Sequence, residues 1–380
     1  MYSIMEKKTK NKKGSINQQP LVTIGIPTYN SARYIGRCLE SILRQTYTNL
    51  EIIVSDNAST DDTEKIVRCY NDPRIIFNKN PENLFCYGNY NVIINRAKGE
   101  FLAIYHSDDV YSPYIVEKEV DFLHKHSHIP VVFTQAYIIN SKDKIIGERR
   151  FPEIFSAIDV IDFNGAYNAF LRFGDFLISS SAMFVKKIFS DVGPFKEENF
   201  FSSQEANSWI EFIKKYNVSR NMIFTANDLE MWLRILQKFP IGIIHEKLMY
   251  YRVHSTQGSR QHMASSVNFF IVMDYYSVYA RGKNLISERS WRKYEINKIR
   301  ERFVNGQNFL TAGNFLEARK QFQTLIKSRY FFNFCLSLKN LTYLLWSFLV
   351  ICGISLKLGP VFQRILVSHV TRKNKKLELL

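Results

Sequence analysis

Hydrophobic and polar positions alternate along the first half of the chain in a repeating order. Leu21 to Ile26 is a short β-branched run that stops at Pro27, and Ser31 to Arg44 then sets Ile35, Leu39, Ile42 and Leu43 at helical spacing. Leu50 to Val54 predicts a second strand, Asp56 to Asp62 a polar turn, and Thr63 to Tyr70 a second helix. Arg74 to Phe77 reads as a third strand, Tyr90 to Ala97 as a third helix, and Glu100 to Tyr105 and Val131 to Ile139 as further strands. Strands alternating with helices at this spacing predict a parallel, doubly wound sheet. Such a sheet brings the loops after its first, second and fourth strands to one rim, so Thr28 to Asn30, Ser55 to Thr60 and His106 to Asp109 should converge.

Beyond this unit, Phe176 to Val192 reads as a strand, a turn at Ser179 to Ser181, and a helix ending at Gly193-Pro194. Glu205 to Tyr216 looks helical, and Asp228 to Phe239 is an amphipathic helix with Met231, Trp232, Ile235 and Leu236 on its apolar face. Ile241 to Tyr251 has a strand pattern. From about Ala264 the chain is helical, and Gly313 to Arg319 reads as one half of a helical hairpin without a second copy at fixed period. Asn340 to Leu356 is a charge-free, mostly apolar run of 17 residues, followed by Lys357, Arg364, Arg372, Lys373, Lys375 and Lys376. Two readings stand: a helix lying on an anionic membrane surface, or a buried core helix.

At 380 residues and 46% hydrophobic content, the chain suits one large α/β domain with an appendage. A net charge of +16 favours an anionic partner: a nucleotide, nucleic acid, anionic carbohydrate or lipid surface. A rival reading, from a different class, is a basic nucleic-acid-binding protein without catalysis, and dispersed lysines and arginines that match no recognised nucleic-acid module argue against it. Five cysteines without CxxC spacing argue against a zinc ribbon or a disulfide scaffold and for a reducing cytoplasm. Lys7, Lys8, Lys10, Lys12 and Lys13 run into polar Ser15 to Gln19 instead of an apolar signal core, so residues 1–19 are expected to be a basic flexible arm.

The densest chemistry lies at Asp108 and Asp109, adjacent acids at the end of an apolar strand. Enclosed, such a pair needs a cation or hydrogen bonds, and a divalent metal carrying a diphosphate supplies both. The competing reading is a solvated turn. On the same rim, Tyr29 offers a face on which a base can stack, and Asp56 can accept from a base N–H. Asn57, Ser59 and Thr60 suit caps of the following helix. Asp228 opens its helix, either as a cap or as a general base, and Glu230 is a reserve polar residue beside it.

Val22 to Asn30 (VTIGIPTYN), Ile53 to Thr63 (IVSDNASTDDT), His106 to Asp109 (HSDD), Asn227 to Arg234 (NDLEMWLR) and Tyr251 to His254 (YRVH) together resemble, in this order, the family 2 glycosyltransferases. The resemblance covers about residues 20–260. It implies a GT-A fold: a Rossmann-like, mixed and mainly parallel α/β sheet flanked by helices, with a nucleotide-sugar half at about 20–110 and an acceptor half at about 111–260. Residues 261–380 form a helical C-terminal region outside it.

The implied chemistry is inverting transfer from a nucleotide-sugar donor to a hydroxyl of a glycan or lipid-linked acceptor, in cell-surface polysaccharide synthesis at the cytoplasmic face of the membrane. Pro27, Tyr29, Asn30, Asp56, Asn91, Ser107 and Asp108 would bind the donor, Asp109 and His254 would hold Mg²⁺ or Mn²⁺, and Asp228 would be the base. Asn91 has a second reading as a helix cap. Three positions depart from the family's common pattern: Tyr90 where many members carry a nearby arginine, His106 for an acid, and Asn227 for a glutamate. A sugar nucleotidyltransferase, the enzymatic rival, needs a Gly-rich phosphate loop after the first strand, and Pro27 to Asn30 is not one.

Overall fold

The structure is a computed structural model, and it describes residues 19–216, 220–221, 224–254, 266–326 and 338–366. Nearly all of the expected basic arm, and the basic positions from Arg372 to Lys376, lie outside the described residues.

The first half builds β1 (Val22–Thr28), α1 (Ile35–Leu43), β2 (Leu50–Asp56), α2 (Thr63–Arg68), β3 (Ile75–Lys79), α3 (Phe85–Arg96) and β4 (Phe101–Ile104). Next come β5 (Val110–Tyr111), α4 (Ile115–Lys125), β6 (Val131–Ile139), β7 (Ile145–Arg149), β8 (Val160–Ile161), α5 (Phe163–Phe173), β9 (Met183–Val185) and α6 (Ile188–Val192). The chain continues through α7 (Ile210–Lys215), α8 (Asn227–Leu236) and β10 (Ile241–Arg252). It then becomes helical: α9 (Ser266–Gly282), α10 (Glu288–Thr311), α11 (Phe315–Ile326) and α12 (Leu338–Ser355).

One sheet runs in the order β3-β2-β1-β4-β9-β6-β10-β5, with β7 on β6 and β8 on β10. The parallel set β3, β2, β1 and β4 meets the parallel pair β6 and β10 through β9, which is antiparallel to both of its neighbours. The sheet is therefore mixed and mainly parallel, with helices on its faces. Helices covering both faces explain why β2 and β4 are buried at every position and read as continuous apolar runs. Helix α3 crosses β1 closely: a Cβ on Gly25 would lie 2.2 Å from Ile93 Cγ2, so only glycine fits there.

Two elements differ from the sequence expectation. In Phe176 to Val192 the strand follows the serine turn, at β9, because Ala182 to Val185 is the part that reaches the ladder between β4 and β6. Helix α3 begins at Phe85, well before Tyr90, because a distant carboxylate receives its free N–H groups: Cys86 and Tyr87 both donate to Glu198 Oε1, at 2.8 and 3.1 Å. Asn91, inside the same helix, exchanges two 3.0 Å hydrogen bonds with the Phe195 backbone. The start of the 196–226 insertion is thereby fastened to α3.

The C-terminal helices extend the main core. Phe270, Ile271, Met273 and Tyr276 of α9 share one apolar cluster with Phe184, Phe224 and Trp232, and the Tyr167 hydroxyl donates to the Met273 carbonyl at 2.6 Å. Gly313, at φ +78°, turns α10 into α11, completing the hairpin expected there. A second helical hairpin, α12 with residues 359–366, stacks on it, with Trp346 against Phe303 and Phe322. The apolar 340–356 run is buried on one side, at Ser347 and Val350, and exposed at Leu345, Phe348 and Leu349. Among the described residues, no helix is long and apolar enough to cross a membrane.

Candidate active site

The rim loops converge as the parallel topology requires, and hydrogen bonds tie them together. Thr28 and Asp56 are register partners at the ends of β1 and β2. Asn30, at φ +49°, donates its N–H to Ser59 Oγ at 2.8 Å and accepts the Thr60 N–H on its side-chain oxygen at 2.9 Å. The hydroxyls of Ser31 and Ser107 share a 2.8 Å hydrogen bond, which joins the first loop to the third. Pro27 pairs with Ser55 in the ladder, and the Tyr29 ring stands 48% exposed at the rim. Asn57 is not a helix cap: its amide bonds Asn83, Phe85, Asn80 and Leu84, tying β2 to the segment before α3.

Asp56 is fully buried, yet only half of its carboxylate is used. Oδ1 accepts from the Ser59 N–H and hydroxyl. Oδ2 is buried with no hydrogen-bond donor among the described residues, and the Lys79 ammonium lies 3.9 Å away. Buried polar atoms are normally hydrogen-bonded, so this acceptor is an exception to the usual pairing.

Asp109 is 1% exposed and accepts from the Arg252 N–H at 2.8 Å and the Ser180 hydroxyl at 2.7 Å. Burial first, and then the charge of Asp108, push its carboxyl well above the usual carboxylate range. At Asp108, burial acts upward, but the hydrogen bond with His254 and the nearby imidazoles bring the carboxyl below its usual value. That bond, His254 Nε2 to Asp108 Oδ2, measures 3.0 Å. Arg252 Nε donates to the Asp108 carbonyl at 2.7 Å.

One ligand atom each from His106, Asp108 and Asp109 lie within 4.8 Å of one another. This is a set of two carboxylates and an imidazole in which one acid is already strained by its neighbour's charge, and it suits a hard divalent cation. His254, expected at the metal, is not part of this trio and instead pairs with Asp108.

His106 and Tyr90, two of the departures from the family pattern, meet in space: the Tyr90 hydroxyl hydrogen-bonds His106 Nε2. Burial lowers the His106 pKa, which favours the neutral ring, so a buried neutral pair stands where the pattern has charged residues. Asn91 lies inside α3, not at its start, so it is not a cap, and its amide is hydrogen-bonded to the Phe195 backbone.

Across the site, Asp228 lies within the first turn of α8, after an N-cap at Ala226 that makes no side-chain hydrogen bond, so the cap reading is replaced. Its Oδ1 accepts the Leu229 N–H at 2.8 Å, and burial raises its pKa against a lowering pull from Arg149. Its charge also bears on Tyr87 and Tyr90, which links it through Tyr90 to His106. Glu230, the reserve candidate, is instead structural: it is buried and held by Arg234 at 2.8 Å and Tyr276 at 3.1 Å. Asn227 is fully buried and donates to the Lys196 carbonyl at 2.6 Å.

Asp175 is a residue that sequence reasoning passed over. Burial and the charge of Asp228 push it up to about 8. It lines a cavity of about 470 Å³ with Arg172, Phe173, Phe269, Lys293 and Asn297. Its only local signal is the preceding Gly174, at φ +77°, which ends α5.

A family model described as glycosyl transferase family 2 matches residues 23–193. An uncharacterised glycosyltransferase of Rickettsia felis is 29% identical over 245 residues, which is 64% of this chain and 36% of that protein. Chondroitin synthase of Escherichia coli is 34% identical over 142 residues, 37% of this chain and 21% of the synthase. The chain thus spans about a third of the length of the Rickettsia felis relative. Among solved structures, residues 1–349 of S. aureus TarS in complex with UDP-GlcNAc give a TM-score of 0.49 at 14% identity, covering 88% of this chain and 92% of that one. The family-model match takes in the rim loops and the acids after β4, while Asp228 and His254 lie beyond it. Residues 23–193, a little under half of this chain, are thus similar to glycosyl transferase family 2.

Proposed function

We propose that the protein is an inverting glycosyltransferase that moves a sugar from a nucleoside-diphosphate sugar to a hydroxyl of a glycan or lipid-linked acceptor. The observation that carries this reading is the buried, donorless Oδ2 of Asp56 on the same rim as Asp108 and Asp109. An acceptor of this kind answers a base N–H, with the Tyr29 ring beside it for stacking. Asp108, oriented by His254, suits a ribose hydroxyl, and Pro27, Asn30 and Ser107 shape the loops around the donor.

Asp109, with Asp108 and His106 beside it, would hold Mg²⁺ or Mn²⁺. Such a cation supplies charge stabilisation to the departing diphosphate. Asp228 takes the acceptor proton as the acceptor oxygen bonds to the anomeric carbon and the bond to the diphosphate breaks. A base raised by burial is poised for that transfer, and a single in-line displacement inverts the configuration. Asp175, close enough to feel the charge of Asp228, lines the cavity from which we expect the acceptor to approach. We assign the reaction to the cytoplasmic face of the cell membrane, where lipid-linked saccharides are met.

A panel of nucleotide sugars with Mn²⁺ or Mg²⁺, read by nucleoside diphosphate release, tests the proposal. Asp109→Ala should weaken metal-dependent donor binding. Asp228→Asn should leave donor binding intact and lower kcat by about 10²–10⁴-fold. Transfer at the parental rate by the Asp228 variant would remove the base assignment.

A further inference from the structure

The second C-terminal hairpin shows an apolar face that the other described residues do not cover. On α12, Leu341, Leu345, Phe348 and Leu349 recur at one-turn spacing, with the last three 59%, 60% and 57% exposed. Their opposite side, Ser347 and Val350, is buried in the stack on α10 and α11. The turn that follows exposes Leu356 and Leu358, and residues 359–366 expose Val361 and Ile365, again one turn apart. A stack of helical hairpins normally ends on a polar face, so an apolar end marks a surface that something covers.

Charge selects the occupant. From Ala318 to Leu377 the chain contains eleven lysines and arginines and no aspartate or glutamate. Lys357 and Arg364 belong to the exposed turn and helix of the hairpin itself. A second copy of this chain would bring the same positive charge against it, and cationic faces repel. Nucleic acid would answer the charge but leave the leucines and phenylalanine in water. An anionic lipid surface answers both: the apolar stripe enters the acyl boundary while the basic residues remain among the headgroups.

We infer that the hairpin formed by α12 and residues 359–366 is a docking element for an anionic lipid surface, lying in the interface plane without spanning the bilayer. The element holds the catalytic domain at the membrane through α10 and α11, and its action is independent of the transfer reaction.

The test is co-sedimentation of the full chain with phosphatidylcholine vesicles, with and without about one third phosphatidylglycerol. The parent should bind only the anionic vesicles, and more weakly as salt rises. Leu345→Ser/Phe348→Ser should lower binding by about tenfold or more. Lys357→Ser/Arg364→Ser should lower it several-fold and flatten the salt dependence. All variants should keep the parental melting temperature and nucleoside diphosphate release, so a failure here leaves the transfer proposal standing, and the reverse also holds. Equal binding to neutral vesicles, or parental binding by the Leu345/Phe348 variant, would overturn the inference. So would a parental dimer in light scattering that this variant converts to monomer, because a second copy would then cover the face.

Discussion

Replacing Asp56 by asparagine separates a binding role from a structural one by the sign of two measurements. Among the described residues Oδ2 is a buried acceptor with no hydrogen-bond donor and the Lys79 ammonium at 3.9 Å, and a group of that kind costs about 1–3 kcal/mol of stability. The side-chain oxygen of asparagine can keep both Ser59 contacts, while its NH₂ takes the place of the oxygen that lies 3.9 Å from Lys79 and removes a buried charge. Asp56→Asn should therefore leave stability unchanged or raise it by about 1–2 kcal/mol, a melting shift of about 1–3 °C for a chain of 380 residues. Nucleotide binding should move the other way. A donor then faces the base N–H where an acceptor stood, and losing a hydrogen bond to a charged group costs about 1.5–3 kcal/mol, or roughly 10–150-fold in Kd. Thermal melting and nucleoside diphosphate titration on the same preparation read both quantities. A lower melting temperature with unchanged nucleotide affinity would refute the reasoning and make Asp56 a loop-fixing residue.

Other expected outcomes concern the scaffold. Glu119 is fully buried beside the Tyr105 hydroxyl, and burial raises its carboxyl well above the usual range. Its contribution is thus fully present below the ordinary glutamate pKa and is lost as pH rises, so Glu119→Gln should gain about 1–3 kcal/mol over the parent at pH 8 and little at pH 4, read by urea unfolding. Tyr90→Phe strands His106 Nε2 and should cost about 1–2 kcal/mol; combined with His106→Phe in a double-mutant cycle, the two losses should not add, and additivity would show that the pair is not coupled. Gly25→Ala should cost about 1–3 kcal/mol by driving a methyl into Ile93, and Ile93→Ala should recover part of that loss, which calorimetry can follow.

Much of the fold was legible because apolar period and turn chemistry agree from Leu21 to Ile139. Strand β6 begins and ends where the pattern predicts, and parallel topology then brings the rim loops together without further assumption. Reasoning from local pattern failed where the partner is distant. The early start of α3 depends on Glu198, more than a hundred residues away, and Asn91 is committed to Phe195. The same limit applies to Asn57, whose neighbours in sequence suggest a cap and whose neighbours in space are asparagines and backbone groups before α3. Tyr90 and His106 looked like two separate losses from a family pattern, and only geometry makes them one substitution. Asp175 is conspicuous through its burial and the charge of Asp228, neither of which any spacing reveals.

The clasp between α3 and the start of the insertion bears on how this scaffold can be re-engineered. Three positions on α3, Cys86, Tyr87 and Asn91, are hydrogen-bonded to Phe195 and Glu198. Two of those bonds run from backbone amides to one carboxylate, and two more run between an asparagine amide and a peptide unit. A chimera that grafts another protein's 196–226 stretch onto this framework would sever the carboxylate contacts and unsettle the helix that positions Tyr90 behind His106. The interchangeable module is therefore discontinuous, and a workable crossover has to transfer the opening turns of α3 together with the insertion.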